Sequence, residues 1–416
     1  MQGGRVSLQS ERLNIVIIND YAHVQGGAAQ VAIESARGLA LAGHHVTFVY
    51  GSGDISDRLQ HENITLFELG QHDLLSNPSR LDAARKGIWN RMVEVKLSEL
   101  FPQLPQATTI IHIHTWVKSL SISAVTAATK SGLPVVVTLH DYFSVCPNGG
   151  FYNYQTQQAC TLKPLSGACL ATHCDARSYP QKLWRYARQM VTTLGGMPKN
   201  IQHFIYVSEF SRQVLAPYLP SEAAYWHVPN PIDTQRRPPQ VPSDSHTISY
   251  IGRLSKEKGA DLFTAAASNC DFQTRLVGEG DLKSELITKL PNGEFTGWVD
   301  RTSVDHYIGT SRAIVFPSRC YETQGMVIAE AAAQGVPCIV SDACAGRDFV
   351  EHEVTGLWFR SGDAEGLAAA MQRLHDDPQL ADKLGQEAYA QFWKSPPTID
   401  QHIDTLTACY SQILHR

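Results

Sequence analysis

The chain has 416 residues, of which 43% are hydrophobic and 18% are charged, and its formal net charge is −5. This length is too great for one ordinary core, and the composition is that of a globular protein rather than a disordered or collagen-like one. The acidic balance argues against a general nucleic-acid-binding protein, which usually carries a basic excess.

Targeting signals are not apparent in the sequence. Residues 1–12 are polar, so no secretory signal is expected, and apolar runs such as Leu13–Ile18 are too short to span a membrane. Nine cysteines, an odd number, are scattered along the chain, which favours a reduced compartment over a disulfide framework. We therefore expect a cytoplasmic protein, and peripheral attachment to the inner face of a membrane stays open.

The first part of the chain alternates short apolar strands with amphipathic helices. Leu13–Asn19 is typical of a buried strand, Gly26 and Gly27 follow it, and Ala28–Ala42 has apolar residues at helical spacing. The same pattern predicts further strands at Val46–Tyr50, Ile110–Ile113, Val135–Leu139 and Phe204–Val207. This order predicts a parallel sheet with helices on both faces.

An insertion at residues 143–199 departs from this order. It holds four potential soft metal ligands, but no Cys-x-x-Cys pair, so a zinc site, buried free thiols and an incidental disulfide all stay open. These cysteines are Cys146, Cys160, Cys169 and Cys174. We predict no metal at the functional site.

The segment Arg177–Lys199 within the insertion has five basic residues and no acidic one. Its apolar residues form one helical stripe, made of Leu183, Ala187, Met190 and Leu194. A basic amphipathic helix suits an anionic membrane surface or a lipid-diphosphate acceptor. The plainer interpretation, which we favour, buries the apolar stripe in the core and leaves a solvated basic face.

A proline-rich segment, Val228–Pro242, separates the two halves, because prolines interrupt both helices and central strands. The alternation then resumes with predicted strands at Thr247–Ile251, Thr274–Val277, Ala313–Phe316 and Pro337–Val340. After these, Thr398–Leu414 is predicted to form one helix that packs back on the first half. Ligands of such sheets bind at the carboxyl ends of the strands, where the candidate residues should lie.

Two loops of the second half carry the strongest signals. The segment Ser318–Pro337 places Glu322 in a polar loop before Gly325 and puts Glu330 on the helix that follows. Free N–H groups at such a helix start attract anions, and the two glutamates suit sugar and ribose hydroxyls. In the plainer alternative, Glu322 caps the helix and Glu330 faces solvent.

The other loop follows the strand Thr247–Ile251 and carries Arg253 and Lys258 between glycines. Two cations at a strand end suit a diphosphate, because Arg binds phosphate oxygens in bidentate fashion and Lys acts as a point charge. A solvated surface turn is the alternative. In the first half, His140 also follows a predicted strand, which favours a role in the site over a purely structural one.

These residues resemble the family 4 retaining glycosyltransferases, and the resemblance covers nearly the whole chain. It implies an α/β architecture of the GT-B type, with two Rossmann-like doubly wound domains facing a central cleft. Residues 1–235 would form the acceptor-side domain, with the insertion 143–199 and the packed-back helix 398–416. Residues 236–397 would form the nucleotide-sugar-binding domain.

The resemblance also implies residue roles. The positions matching Arg253 and Lys258 bind the donor diphosphate, and that matching Glu322 contacts the donor sugar. Glu330 would bind the ribose and the backbone of Val299 the base. The remaining positions are the amides for sugar and phosphate (Gln324, Gly325, Met326), the glycine turn against the donor phosphates (Gly26, Gly27) and a pocket histidine (His140). The family often has Phe in place of Gln324, which implies a different sugar preference.

The activity implied is transfer of a sugar, with retention, from a UDP- or GDP-sugar to a glycan or a lipid-linked acceptor in surface polysaccharide or glycolipid synthesis. No cofactor is expected, because the two loop cations would take the place of a divalent ion and no Asp-x-Asp motif ends a strand. Two alternatives stay open: a nucleotide-sugar epimerase of the same fold, and an inactive nucleotide-sugar-binding scaffold.

Overall fold

The computed structural model describes residues 12–268 and 270–415. The first half contains a seven-stranded sheet that is parallel throughout, with the strand order β3-β2-β1-β4-β5-β8-β9. In chain order the strands are β1 (Asn14–Tyr21), β2 (His45–Ser52), β3 (Ile64–Glu68), β4 (Thr109–Ile113), β5 (Val135–Thr138), the antiparallel hairpin β6 (Tyr152–Asn153) and β7 (Gln158–Ala159), β8 (His203–Tyr206) and β9 (Ala224–His227).

Helices cover both faces of this sheet. They are α1 (Gly27–Leu41), α2 (Arg80–Ile88), α3 (Arg91–Leu100), α4 (Ile122–Lys130), α5 (Gly167–Ala171), α6 (Tyr179–Leu194) and α7 (Glu209–Leu215). The five strands predicted in this half are present as β1, β2, β4, β5 and β8, whereas β3 and β9 were not predicted. Both of these are edge strands with partly exposed residues, so they lack the continuous apolar run of a central parallel strand.

The second half contains a six-stranded parallel sheet of order β12-β11-β10-β13-β14-β15. Its strands are β10 (Thr247–Ile251), β11 (Gln273–Val277), β12 (Glu294–Gly297), β13 (Ala313–Phe316), β14 (Cys338–Ser341) and β15 (Gly356–Phe359). Its helices, with the C-terminal helix last, are α8 (Ala260–Ala267), α9 (Lys283–Lys289), α10 (Arg301–Gly309), α11 (Met326–Gln334), α12 (Ala364–Asp376), α13 (Pro378–Phe392) and α14 (Ile399–Leu414). The predicted class, two Rossmann-like α/β units, is confirmed.

Both sheets reverse their winding at an inner strand. In the first sheet the reversal lies between β1 and β4, and in the second it lies between β10 and β13. A crevice forms beyond the carboxyl ends of strands at such a point, because the following chains leave in opposite directions. The loops after β1, β10 and β13 carry most of the predicted site residues, while His140 follows β5 and Val299 follows β12.

The C-terminal helix α14 packs on α1 rather than on the second sheet. Its residues Ile403, Leu406 and Tyr410 belong to the same buried cluster as the inner face of α1. A Cβ atom on Gly38 of α1 would lie 2.5 Å from Ile403 Cγ1, so the glycine permits the close helix contact. The chain thus crosses between the two halves twice.

The favoured interpretation of α6 is wrong. Its apolar stripe is exposed to solvent, with 40% exposure at Leu183, 49% at Met190 and 84% at Leu194. Two of its basic residues point inward instead, because Lys182 and Arg188 are buried. The pattern correctly identified an amphipathic helix, but it did not reveal which face the rest of the domain covers.

No helix in the described part of the chain combines the length and the apolar character needed to cross a membrane.

Candidate active site

Three side chains from the two loops of the second half form a compact charged cluster. The Lys258 ammonium donates to both carboxylate oxygens of Glu322 at 2.6 Å. The Ser318 hydroxyl donates to Glu322 Oε1 at 2.7 Å. Burial acts to lower the pKa of Lys258, but the adjacent Glu322 charge outweighs burial and raises it, so the amine stays charged. The cluster is partly buried, with the Glu322 side chain 11% exposed.

The loop between β10 and α8 reaches this position through glycine. Gly259 has φ +74°, and a Cβ atom there would lie 2.0 Å from the carbonyl oxygen of Pro317. Only glycine fits that approach, so it fixes the loop carrying Lys258 against the loop carrying Glu322. Arg253 projects from the same loop into solvent, and within the described chain it forms no ion pair. It is available to an anionic ligand.

The loop between β13 and α11 is held by the first half of the chain. The Tyr142 hydroxyl donates to the carbonyl oxygen of Glu322 at 2.6 Å, and the Thr323 hydroxyl donates to that of His140 at 2.9 Å. Glu322 has φ +54°, a backbone conformation that costs about 1 kcal/mol for a residue with a Cβ atom. Such strain is typically held at functional sites by surrounding contacts, as it is here.

Two helix N-termini meet beside this loop. Gly26 and Gly325 precede α1 and α11, and neither helix has a side-chain cap. A Cβ atom on Gly27 would lie 3.3 Å from Met326 Cε, so the two helix starts are in contact. Their first N–H groups have no partner inside the helices. The arrangement favours an anion between the two halves.

Gln324 is buried, and its side chain points to the connection between the domains. Its Oε1 accepts from the backbone N–H of Asn230 at 2.9 Å. Its Nε2 is buried without a hydrogen-bond partner in the described chain. The backbone amides of Gln324, Gly325 and Met326 donate to no acceptor within residues 12–268 and 270–415, so they remain free for a ligand.

Glu330 is buried on α11 and forms an ion pair with Arg301 of α10. Burial raises the pKa of Glu330, and the Arg301 guanidinium opposes this rise. The alternative of a solvent-facing Glu330 is therefore wrong, as is a helix cap by Glu322, because Gly325 caps α11. Val299 lies between β12 and α10, two residues before Arg301, with its backbone N–H uncommitted among described residues.

His140 follows β5, is partly exposed, and contacts the buried His114. Its Nε2 lies 2.9 Å from His114 Nδ1, and their rings stack. Burial lowers the pKa of His140 to about 3, so the ring is neutral at pH 7. A neutral ring can accept or donate a hydrogen bond without adding charge to the site.

Sequence reasoning missed several residues that shape the site. Ser318 is the first residue of the segment Ser318–Pro337, and Arg301 lies two positions after Val299, so position could have indicated both. No local signal distinguishes Tyr142, Thr323 or Asn230, because their roles arise from contacts between halves distant in sequence. Tertiary packing alone reveals them.

The four insertion cysteines are free thiols, as are the other five in the chain. Across the ranges 12–268 and 270–415, no three His, Cys, Asp or Glu side chains are grouped so as to hold a metal ion. Of the three alternatives, the structure therefore has free thiols. Cys169 Sγ accepts from the buried Lys182 ammonium at 3.3 Å.

Family models match both halves of the chain. Residues 25–236, half of the chain, match Glycosyltransferase Family 4, and residues 231–391 match Glycosyl transferases group 1. Among curated relatives, the chain is 31% identical over 175 residues to the lipopolysaccharide core biosynthesis glycosyltransferase LpsD of Rhizobium meliloti. It is 31% identical over 144 residues to the GDP-mannose-dependent alpha-mannosyltransferase of Mycolicibacterium smegmatis.

These alignments cover 40% and 35% of this chain. The chain spans only part of these relatives: the alignments cover 50% of the length of LpsD and 37% of the length of the mannosyltransferase.

Solved structures share the complete fold. Sucrose-phosphate synthase from Thermosynechococcus elongatus superposes with a TM-score of 0.70 at 20% identity, over 97% of this chain and 100% of that one. Anabaena HepE in complex with UDP gives 0.65 at 16% identity, over 96% and 100%. The paired Rossmann-like domains thus define a protein of the GT-B glycosyltransferase class. With the family model matching half of its length, the chain belongs to glycosyltransferase family 4.

Proposed function

We propose that this protein transfers a sugar from a UDP- or GDP-sugar to a glycan or lipid-linked acceptor, with retention at the anomeric carbon. One observation carries the proposal: the cations of one loop lie beside two uncapped, contacting helix starts, where both sheets reverse their winding. This is the chemistry that a nucleoside diphosphate requires. The names of the two relatives, one a GDP-mannose-dependent enzyme, support a nucleotide-sugar donor.

In this proposal, each component binds a different part of the donor. Arg253 and Lys258 hold the diphosphate, and the free amides of residues 324–326 hold its oxygens and the sugar. Glu322 accepts from a sugar hydroxyl. The further contacts are Glu330 to the ribose, the Val299 backbone to the base, Gly26 and Gly27 along the phosphates, and neutral His140 on the pocket wall.

The chemical step follows from the same charges. As the bond from the anomeric carbon to the diphosphate oxygen breaks, negative charge grows on the leaving group, and Arg253 and Lys258 stabilise it. The acceptor hydroxyl attacks on the face that the diphosphate leaves and gives its proton to a departing phosphate oxygen, which retains the configuration. We propose that no divalent cation is needed, since the two side chains supply the charge. Transfer in excess chelator tests this point.

The cellular setting of the proposal is assembly of a surface polysaccharide or glycolipid at the cytoplasmic face of a membrane. Two observations support it. One relative is named for lipopolysaccharide core biosynthesis. The exposed apolar stripe of α6 is suited to contact with a lipid surface.

The test is a panel of UDP-, GDP- and ADP-sugars, measured for binding and for slow hydrolysis with the wild type and single variants. We expect one donor to bind and release nucleoside diphosphate. Arg253→Ala and Glu322→Ala should each lower turnover by about a hundredfold, because each removes a charged contact in the site. Lys256→Ala is the matched control, since Lys256 is an exposed lysine of the same loop.

Other results identify other functions. Conversion of the donor sugar to an epimer without acceptor would indicate an epimerase. Binding without any turnover would indicate a scaffold. If no donor binds, or if Arg253→Ala and Glu322→Ala behave as Lys256→Ala does, the site assignment is wrong.

A further inference from the structure

A groove of about 480 Å³ lies between α2, α6 and the loop after β4, outside the candidate active site. We call it the basic groove, because five cationic side chains line it: Arg80, Lys118, Arg177, Arg185 and Arg188. Among the described residues that line it, none is an aspartate or a glutamate. The groove therefore concentrates positive charge on a protein whose net charge is negative.

Most of these cations form no ion pair within the described part of the chain. Arg185 Nε lies 2.8 Å from Asp175 Oδ2. Within the described residues, no carboxylate oxygen comes within ion-pair distance of the other four cations (Arg80, Lys118, Arg177 and Arg188). Several cations placed together repel one another, and this arrangement is unfavourable unless a ligand supplies negative charge.

Arg188 is the most deeply buried of these cations, since it is only 7% exposed. Its guanidinium lies over the rings of Phe143 and Trp184, at 5.0 and 5.1 Å from their centroids, and donates to the carbonyl oxygen of Pro147 at 3.4 Å. Burial lowers the pKa of Arg188 to about 9. Aromatic faces and one long hydrogen bond leave most of its five donors unused.

The nearest buried carboxylates already have partners. Asp20 accepts from the backbone N–H groups of Lys118, Ser119 and Leu120 at 3.0, 2.8 and 3.2 Å. Asp141 accepts from that of Phe143 at 2.8 Å. These aspartates hold the loops that form the groove, and they offset part of the charge of Arg188 without forming an ion pair with it.

Apart from Gln181, the other residues that line the groove are apolar or aromatic. Trp184 forms one wall, and its Nε1–H donates to the carbonyl oxygen of Ala84 at 3.1 Å, which fixes the ring between α6 and α2. Leu75, which is 52% exposed, continues the apolar surface toward solvent. The exposed stripe of α6 lies on the helix that carries Trp184. A ligand of the groove should therefore combine an anionic group with an apolar one.

The groove is close to the active site. Lys118 and Phe143 follow β4 and β5, at the same sheet edge as His140. His140 and Phe143 are three positions apart in the chain, so their Cα atoms are at most about 10 Å apart. A sugar attached to a group in the groove can therefore extend into the cleft.

We propose that the basic groove binds the phosphate or diphosphate of an acceptor carried on an apolar chain. Lys118, Arg177 and Arg188 hold the phosphate oxygens, since guanidinium forks match phosphate geometry. The apolar chain lies along Trp184 and Leu75. This inference rests on the proposed function, because it makes the groove the acceptor side of the same reaction.

Binding to the full chain in the presence of saturating UDP and GDP tests the proposal, because the nucleotide of the proposed donor blocks the donor site. The probes are geranyl diphosphate, inorganic pyrophosphate, geraniol and phosphatidylglycerol vesicles. We expect geranyl diphosphate to bind about tenfold or more tightly than pyrophosphate or geraniol, because only it uses both surfaces. Tighter binding to vesicles than to geranyl diphosphate would instead identify a lipid-bilayer site and overturn the proposal.

Two variants locate the site. Lys118→Met and Arg177→Gln change exposed side chains, and each should weaken the binding of geranyl diphosphate by about tenfold. Lys199→Ala, at an exposed lysine of the same insertion, should leave the affinity unchanged. The affinity for UDP or GDP should stay constant in all three variants. A wild type that binds neither nucleotide would refute the donor site separately. Unchanged geranyl diphosphate affinity in both groove variants would overturn the groove assignment.

Discussion

Each glutamate of the candidate site is stabilised by a cation from a neighbouring loop. Glu322 binds Lys258, and Glu330 binds Arg301. An unpartnered buried carboxylate is unfavourable, so these pairs allow two negative groups to remain at the site that we propose for a diphosphate. A donor that recruits Lys258 would free Glu322 for a sugar hydroxyl.

The pair of Arg301 and Glu330 allows the structural role of Glu330 to be separated from ligand binding. Arg301→Met should lower the free energy of unfolding by about 2 kcal/mol, because it leaves a buried carboxylate unpaired. The double variant with Glu330→Gln should recover most of that loss. Urea denaturation of the single and double variants measures both effects.

The same variants test the ribose contact of Glu330. Glu330→Gln should weaken the binding of UDP by about tenfold. The double variant should still bind UDP weakly, although its stability recovers. UDP affinity equal to that of the wild type in Glu330→Gln would leave this glutamate as an ion-pair partner alone.

At the scale of elements, the site depends on how closely the loop after β10 approaches the loop after β13. Gly259 ends the first of these loops and touches the carbonyl oxygen of Pro317 at the start of the second. The glycine therefore sets the separation of Lys258 from Glu322. The sequence showed that glycines flank the cationic loop. The contact that requires Gly259, however, joins two segments that are 58 residues apart in the sequence. The ion pair of Arg319 with Asp261 joins the same two segments.

Gly259→Ala tests this role. We expect it to lower the free energy of unfolding by more than about 2 kcal/mol, because the methyl group adds a clash to the backbone strain at φ +74°. Its UDP affinity should also fall. Gly362→Ala is the matched control, since Gly362 has φ +81° but no atom within 4 Å, and about 1 kcal/mol is expected there. Equal losses in the two variants would contradict the role of the close contact.

For the whole molecule, the helix α14 joins the end of the chain to the first domain through buried histidines. His112 of β4 lies 2.6 Å from the Tyr410 hydroxyl of α14. His402 of α14 lies 2.9 Å from the Ser35 hydroxyl of α1 and 2.9 Å from the carbonyl oxygen of Pro229. This polar layer connects three elements that are far apart in the sequence.

These histidines predict a loss of stability in acid. Burial lowers the pKa of His402 to about 4, and the pKa values of His112, His114 and His140 are also lowered. The unfolded chain therefore takes up protons first as the pH falls below about 6.5, and each histidine contributes a slope of about 1.4 kcal/mol per pH unit. Burial raises the pKa of Asp141 to about 6 and also raises that of Asp20, so these carboxyls offset part of the loss, Asp141 already below about pH 6.

Urea denaturation between about pH 7 and pH 5 measures this slope. His402→Asn should make the slope shallower by up to one histidine's contribution, whatever its effect on stability at neutral pH. Identical slopes in the variant and the wild type would show that His402 takes up its proton in the folded state as well.

The sequence by itself determined the two α/β units, the positions of their central strands along the chain and the loops that carry Arg253, Lys258 and Glu322. It could do so because apolar periodicity and glycine position are local properties that parallel sheets impose. It also indicated an amphipathic α6, since periodicity records that a helix has two faces.

Only the tertiary structure decided which face of α6 is covered, which cations hold the glutamates, and that Tyr142 and Thr323 fasten the active-site loop to the other domain. Each of these depends on a contact between segments far apart in the chain. Burial and charge pairing are properties of the assembled neighbourhood, so no local pattern contains them.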